Sequence, residues 1–176
     1  MLNSYYIISE FNSKIETNLK KNSKINVIFR PKINDYNNQI LKRIIKTNIY
    51  NKIYLANKSN ICPIQGLAGI YISAFNKKTA ISSYFKDKSV IGSAHSISEI
   101  CEKIRSKCNI IFLSPIFIDK TNRKAIGIIK FLLMSNHFKN ITFYPLGGIQ
   151  SPYKLKNYGV NGFAGIEYFN KTQFSL

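Results

Sequence analysis

The sequence predicts a minimal (β/α)8 barrel formed by a single domain over residues 1–176. Short runs of apolar, β-branched and aromatic residues recur eight times along the chain, and the segments between them are polar and helix-like. These runs are apolar on both faces, as the strands of a parallel sheet covered by helices must be. The regular alternation of strand and helix signals favours the closed barrel, with an open doubly wound sheet as the alternative.

The eight predicted strands are short and follow one another closely. They comprise residues 5–9, 25–30, 52–57, 69–74, 89–94, 109–114, 141–146 and 162–167. Barrels of this class usually contain about 250 residues and seldom fewer than about 200. With 176 residues, we expect helices of only about two to three turns, and a degraded barrel is the alternative to a minimal one.

The helix signals between the strands differ in strength. The segment 96–107 is the best, because Ser96 can cap a helix and Glu99 follows three residues later, which completes a capping box. Segments 34–46 and 124–138 are the next best. The segment 59–67 is weak, because Pro63 and Gly66 leave room for little more than one turn.

Composition limits the partners and the compartment. The formal net charge is +18, but the lysines are spread over a chain that is also rich in Ile, Asn, Tyr and Phe, which is typical of an AT-rich genome. Composition bias therefore explains the charge better than a nucleic-acid partner does, although the positive field would attract a small phosphorylated substrate. Cys62, Cys101 and Cys108 are widely spaced and predict reduced thiols.

No targeting signal is recognisable in the amino-acid sequence. No apolar run approaches the ~20 residues that a membrane span needs, and the first residues lack the basic start of a signal peptide. The sequence therefore predicts a cytoplasmic protein with no membrane partner. A homo-oligomer is compatible with the composition.

Glycines mark the ends of the last two predicted strands. Gly147 and Gly148 close strand seven in the stretch FYPLGGIQSP, and Gly162 and Gly165 lie in strand eight. In (β/α)8 barrels the active site forms at the carboxyl ends of the strands, and the loops after strands seven and eight commonly hold phosphate. We therefore predict that backbone N–H groups of both loops bind a phosphate. The alternative is that the glycine pair only makes a tight turn.

Four stretches in this order, IGSAHSISEI, NIIFLSPIF, YPLGGI and GVNGFAGIEYF, resemble the thiamine-phosphate synthase and TenI family. The resemblance covers about residues 91–169 and continues weakly through residues 29–32 and 55–57. It implies a (β/α)8 barrel and one of two activities. Synthases join a pyrimidine diphosphate to a thiazole phosphate with Mg²⁺, whereas TenI-type proteins move a proton on the thiazole phosphate with a histidine after strand five and need no metal.

The resemblance also implies which residues form the site. His95 matches the TenI-type histidine, and an imidazole with an ordinary pKa of about 6.5 can both take and give a proton at neutral pH. The alternative is that His95 only packs at the strand end. We expect the other histidine, His137, to lie at a helix end on the surface. The remaining predicted substrate-binding and phosphate-binding residues are Gly147, Gly148, Gly165, Ile166, Glu167, Ser93, Ser114, Arg30, Lys32 and Asn57.

The synthase metal site does not carry over to this sequence. Lys58 stands where the synthase has one aspartate, and the second aspartate falls near Asn76. Ile28 and Asn122 also depart from the synthase pattern, and Glu167 replaces a small serine beside the phosphate. We therefore predict a metal-free tautomerase acting on a small phosphorylated heterocycle. A synthase that uses Mg²⁺ and an inactive ligand-binding barrel are the alternatives, ahead of an RNA-binding protein.

Overall fold

The computed structural model describes residues 2–21, 24–32, 37–48, 50–57, 64–77, 85, 87–118 and 124–171. Within these residues, eight parallel strands form a nearly closed (β/α)8 barrel, as the sequence predicts. The strands, named β1 to β8 in chain order, are Asn3–Ile8, Ile25–Phe29, Ile53–Ala56, Leu67–Ile72, Ser89–Ala94, Ile110–Leu113, Thr142–Pro145 and Gly162–Gly165.

Neighbouring strands in the chain are also neighbours in the barrel. The strands β1 to β7 pair in sequence, and β8 pairs with the other edge of β1, where Asn3 lies opposite Gly162. A single parallel bridge between Leu146 and Ala164 joins the end of β7 to β8. Because every strand runs in the same direction, all the carboxyl ends meet at one mouth of the barrel.

Helices cover the outside of the barrel. They are α1 (Ser13–Lys21), α2 (Asn38–Thr47), α3 (Ile97–Arg105), α4 (Ile128–His137) and α5 (Glu167–Lys171), together with a 3₁₀ helix, Pro152–Tyr158, after β7. The strong predictions for residues 96–107, 34–46 and 124–138 correspond to α3, α2 and α4. Most of the weak segment 59–67 lies outside the described residues. His137 is the last residue of α4 and is exposed, as expected.

Aromatic side chains fill the interior of the barrel. Tyr5 is at the centre of this cluster, with ring centroids 5.2 Å from Phe112, 5.7 Å from Tyr144 and 6.2 Å from Tyr54. Tyr71 lies 5.9 Å from Phe112 and completes the packing toward the mouth. Burial raises the pKa of Tyr5 well above its ordinary value. The interior is therefore a packed core rather than a channel.

Among the described residues, no helix is both long enough and apolar enough to cross a membrane. The described cysteines, Cys101 and Cys108, are free thiols, which agrees with the prediction of reduced cysteines. Cys62 lies outside the described residues.

Candidate functional site

An open cavity of about 1040 Å³ occupies the carboxyl-terminal mouth of the barrel. Residues of strands β1, β4, β5 and β8 line it, together with residues that follow β2 and β4 to β8 and with Glu99 of α3. A cavity of this size accommodates a small organic ligand. All the predicted site residues except Lys32 and Asn57 line the cavity.

The period of the strands explains why polar groups reach the cavity. Side chains two residues apart on a strand point to the same face. Tyr71 points into the barrel interior, so Ser73 follows on the same face at the end of β4. By the same alternation, Ser93 and His95 follow the interior residue Ile91 at the end of β5. The strands β4 and β5 thus place interior side chains below and polar groups at the mouth.

His95 is held in one orientation by the neighbouring strand. Its Nδ1 lies 2.6 Å from the backbone oxygen of Ser114 and 3.2 Å from the Ser114 hydroxyl oxygen. A carbonyl oxygen only accepts hydrogen bonds, so Nδ1 carries the hydrogen and donates it. In the neutral ring Nε2 then has a free lone pair and can act as a base. The same geometry means that His95 does not activate Ser114 as a nucleophile through Nδ1.

The predicted capping box is present in a modified form. The Glu99 amide donates to the Ser96 hydroxyl over 3.3 Å, which is the expected cap of α3. The Glu99 carboxylate, however, accepts from the backbone N–H of His95 at 2.7 Å rather than from that of Ser96. Through this hydrogen bond Glu99, which lines the cavity, joins the start of α3 to the backbone of His95.

A polar network forms the floor of the cavity beneath His95. The buried Tyr71 hydroxyl donates to the Ser93 hydroxyl oxygen over 2.9 Å, and the Arg30 guanidinium lies beside the Tyr71 hydroxyl. Burial raises the pKa of Tyr71, while Ser93 and the positive charge of Arg30 partly offset this effect. Tyr71 therefore stays a neutral donor, and Arg30 supplies a positive charge to the floor.

The glycine pair after β7 packs against the loop after β6. A Cβ on Gly148 would lie 2.6 Å from the backbone oxygen of Phe117, and its φ of +69° favours glycine. The Gly147 carbonyl accepts from the Phe117 N–H at 3.2 Å. Gly147, Gly148, Gly165 and Ile166 all line the cavity. The pair is therefore a tight turn, and its backbone also faces the cavity, so both predicted roles are compatible with the structure.

Two predicted site residues do not line the cavity. Lys32 is exposed. Asn57, with a φ of +57°, uses its side chain on the end of β4: its Nδ2 donates to the Ser73 hydroxyl at 2.8 Å, and its Oδ1 accepts from the Ser73 N–H at 2.9 Å. Gly162 lies at the opposite end of β8, beside the start of β1, so it is too far from the mouth to contact a ligand there. Lys58 and Asn122 lie outside the described residues.

The donor groups that the described residues bring to the cavity do not match a magnesium site. Among the described residues, no three His, Cys, Asp or Glu side chains come together as a metal-binding group. The backbone carbonyl of Asn76, near the position of the second synthase aspartate, accepts instead from Lys103 Nζ at 2.6 Å. Magnesium is held largely by carboxylate oxygens, whereas the contact described at Asn76 is made by a cationic side chain.

The structure adds cavity residues that the sequence analysis did not select. They are chiefly Tyr71, Ser73, Phe75, Ile118 and Gln150. Tyr71 and Ser73 were detectable as polar atoms at alternate positions of the strand GIYISA. The loop residues Phe75 and Ile118 carry no sequence signal, because an exposed apolar residue has no distinctive pattern.

Comparison with solved structures finds the same barrel in several enzymes. Thiamine phosphate pyrophosphorylase from Pyrococcus furiosus superposes with a TM-score of 0.69 at 16% identity, covering 94% of this chain and 86% of that one. The likeness establishes the fold. The 2-keto-3-deoxy-6-phospho-gluconate aldolase from Zymomonas mobilis ATCC 29191 gives 0.59 at 10% identity, covering 93% and 81%.

GGGPS from Thermoplasma volcanium also shares the architecture, with a TM-score of 0.54 at 10% identity over 95% of this chain and 85% of that one. No family model matches the sequence, and no curated protein sequence matches it either. At such low identities the shared barrel alone is established, and the activity has to be argued from the cavity.

Proposed function

We propose that the protein binds a thiazole phosphate and moves a proton on it without a metal ion. The single observation that carries this proposal is the hydrogen bond from His95 Nδ1 to the Ser114 carbonyl oxygen. It leaves Nε2 as the basic atom of a neutral imidazole that lines the cavity. The fold neighbour named for thiamine phosphate chemistry supports the choice of ligand.

The proposed reaction needs one group that takes a proton and returns it. Nε2 of His95 removes a proton from one carbon of the bound heterocycle and delivers it to another atom of the same ligand, so that no proton is gained or lost overall. During the step the imidazolium keeps Nδ1–H on Ser114, which stabilises its orientation. General acid–base catalysis of this kind contributes about 10²–10⁴-fold in rate.

The phosphate of the ligand is assigned to the backbone of two adjacent loops. Gly147–Ile149 and Gly165–Glu167 line the same side of the cavity, next to the bridge between Leu146 and Ala164. Loops at these positions hold phosphate in many (β/α)8 barrels. Arg30 adds a positive charge to the cavity floor, whereas Glu167 places a carboxylate near the proposed phosphate.

The aldolase activity of other fold neighbours has less support. An aldolase that works through a Schiff base needs a lysine amine in the cavity. No lysine lines the cavity among the described residues. Lys103, whose Nζ reaches the cavity wall, donates to the carbonyl oxygens of Ser73 and Asn76. The amine is therefore committed to the backbone rather than directed at a ligand.

The proposal is tested by incubating the protein with thiazole phosphate in D₂O and following deuterium exchange and isomer interconversion by NMR. We expect both processes in the presence of a metal chelator, and we expect both to slow by about 10²–10⁴-fold in His95→Gln. Formation of thiamine phosphate from pyrimidine diphosphate, thiazole phosphate and Mg²⁺ would instead assign the synthase activity. Binding of thiazole phosphate without exchange would assign a ligand-binding barrel.

A further inference from the structure

We propose that Phe75 is a stacking surface for the planar ring of the phosphorylated ligand, and that Asn57 and Lys103 hold it in place as positioning residues. This inference rests on the proposed function, because it names the part of the cavity that recognises the ring. It implies that the ligand is a flat aromatic heterocycle rather than an acyclic sugar phosphate. The turn that carries Phe75 is held by contacts from two sides.

The turn Ser73–Asn76 follows β4 at the mouth of the barrel. The Asn76 N–H donates to the Ser73 carbonyl oxygen at 3.0 Å, which closes the turn around Ala74 and Phe75. Ser73, Ala74 and Phe75 line the cavity. The turn therefore forms one wall of the site and places Phe75 near its tip.

Asn57 fixes the first residue of this turn from the β3 side. Its side-chain amide makes two hydrogen bonds to Ser73, one to the hydroxyl group and one from the backbone N–H, and its own N–H donates to the Tyr71 oxygen at 2.8 Å. The resemblance of the sequence to the synthases assigned Asn57 to a ligand. The structure instead uses all these groups to join the ends of β3 and β4.

Lys103 fixes both ends of the turn from the opposite side. Its Nζ donates to the Ser73 oxygen at 2.8 Å and to the Asn76 oxygen at 2.6 Å, and the residue is only 1% exposed. Burial lowers the pKa of this lysine. A long cationic side chain is seldom buried unless it is paired, and here the partners are the carbonyl groups of one cavity-lining turn.

Phe75 lies on the turn that Asn57 and Lys103 hold, and its side chain is exposed. Its side chain is 74% exposed although it lines the cavity, and Ile118, on the loop after β6, is 75% exposed. Because β5 lies between β4 and β6 in the barrel, His95 is flanked by these two loops. A planar ring above His95 would therefore have the Phe75 loop on one side and the Ile118 loop on the other.

An aromatic face is a suitable partner for a heterocycle. Aromatic rings attract one another in offset or edge-on arrangements beyond the effect of buried area alone. Ligand binding costs little conformational entropy if the protein's aromatic ring is already held in place. The hydrogen bonds from Asn57 and Lys103 preorganise the turn that carries Phe75. Removing either the Phe75 ring or these hydrogen bonds should therefore weaken the binding of ring-containing phosphates selectively.

The test is a comparison of two ligands, thiazole phosphate and inorganic phosphate, by isothermal titration calorimetry. For Phe75→Ala we expect about five- to tenfold weaker binding of thiazole phosphate and unchanged binding of inorganic phosphate. Phe75→Tyr keeps the ring and should bind as the wild type does. Leu133→Ala, a change at an equally exposed apolar residue on α4 (67% exposed), is the matched control and should change neither affinity.

Lys103→Met tests the positioning role. We expect it to lower the affinity ratio of thiazole phosphate to inorganic phosphate, and we expect the Phe75→Ala Lys103→Met double variant to lose no more than Phe75→Ala alone. A purely structural lysine would lower thermal stability without changing this ratio. If that result is found, Lys103 has no positioning role.

The outcomes separate this inference from the proposed function. If the wild type binds both ligands and Phe75→Ala binds thiazole phosphate as tightly as the wild type does, the proposed stacking role of Phe75 is wrong. The proposed phosphate site is unaffected by that result. If the wild type binds neither ligand, the proposed function and the stacking surface are both overturned.

Discussion

The Nδ1 atom of His95 lies 2.6 Å from the carbonyl oxygen of Ser114, so the end of β6 sets the tautomer of a side chain at the end of β5. Residues at the ends of two adjacent strands thereby leave Nε2 of His95 as the basic nitrogen at the cavity. The proposed role of His95 in proton transfer rests on this contact.

Replacing His95 with Gln should remove proton transfer and leave ligand binding in place. We expect exchange of the thiazole phosphate proton to fall by about 10²–10⁴-fold, as for other general acid–base groups. The phosphate affinity should change by less than about threefold, because the phosphate is assigned to other loops. NMR exchange rates and calorimetric titration measure the two effects. His137→Gln, at the exposed end of α4, is the control, and equal rates in both variants would rule out the catalytic role.

Gly148→Ala should damage the mouth of the barrel more than the same change at Gly159. Both glycines have a positive φ, +69° and +71°, but an added Cβ meets the Phe117 backbone at 2.6 Å in the first case and open space in the second. For Gly159→Ala we expect a loss of about 1 kcal/mol of unfolding free energy from the backbone conformation alone. Gly148→Ala should lose about 2 kcal/mol or more.

Denaturant unfolding measures both glycine variants, and phosphate titration shows whether the loop has moved. We expect only Gly148→Ala to weaken phosphate binding. Equal losses of stability at the two positions would mean that the loop after β6 yields easily and that the close backbone approach is not required.

Glu167→Ser should tighten the binding of inorganic phosphate. Glu167 lines the cavity beside the loop assigned to the phosphate, and a carboxylate repels an anion more strongly at low ionic strength. We expect about three- to tenfold tighter binding that diminishes as salt is added. Glu10→Ser changes an exposed carboxylate outside the cavity and should have no effect. Unchanged affinity in Glu167→Ser would show that the phosphate binds elsewhere.

Cys108 should resist thiol reagents in the folded protein. Burial raises the pKa of this thiol to about 12, and the side chain is 2% exposed, so almost no reactive thiolate forms at pH 8. We expect Cys101, which is half-buried, to react with iodoacetamide first, as measured by mass spectrometry of the peptides. Labelling of Cys108 as fast as Cys101 under native conditions would contradict this burial.

The raised pKa of Cys108 also has a consequence for stability. The unfolded thiol ionises near its ordinary pKa of about 8.5, whereas the folded thiol stays neutral until about pH 12. Ionisation of the unfolded state therefore lowers stability progressively as the pH rises through this interval. Cys108→Ala should show a smaller alkaline loss of melting temperature than the wild type.

The strands were predictable from the sequence, because their signal is local. A buried parallel strand must be apolar on both faces, and the predicted strands lie within two residues of the observed ones at both ends. The strand β4 starts at Leu67, two residues before the predicted start at Gly69 and directly after Gly66, whose φ is +90°. The cap of α3 was predictable for the same local reason, since Ser96 and Glu99 are three residues apart.

The site residues were predictable only where a strand end brings them to the mouth. Ser93, His95 and Ser114 follow directly from the strand register. The role of Asn57 was not predictable, because its partner Ser73 is sixteen residues away and on another strand. Lys103 was equally hidden, since its burial depends on the carbonyl groups of a turn at residues 73–76.

By itself, the sequence determined the barrel, the order of its strands and the edge at which polar groups and glycines gather, because hydrophobic period and turn chemistry act between near neighbours in the chain. Tertiary structure alone decided the tautomer of His95, the burial of Lys103 and the exposure of Phe75. Each of these depends on a carbonyl group or an open space supplied by a distant segment. Such contacts exist only after the strands have closed into the barrel.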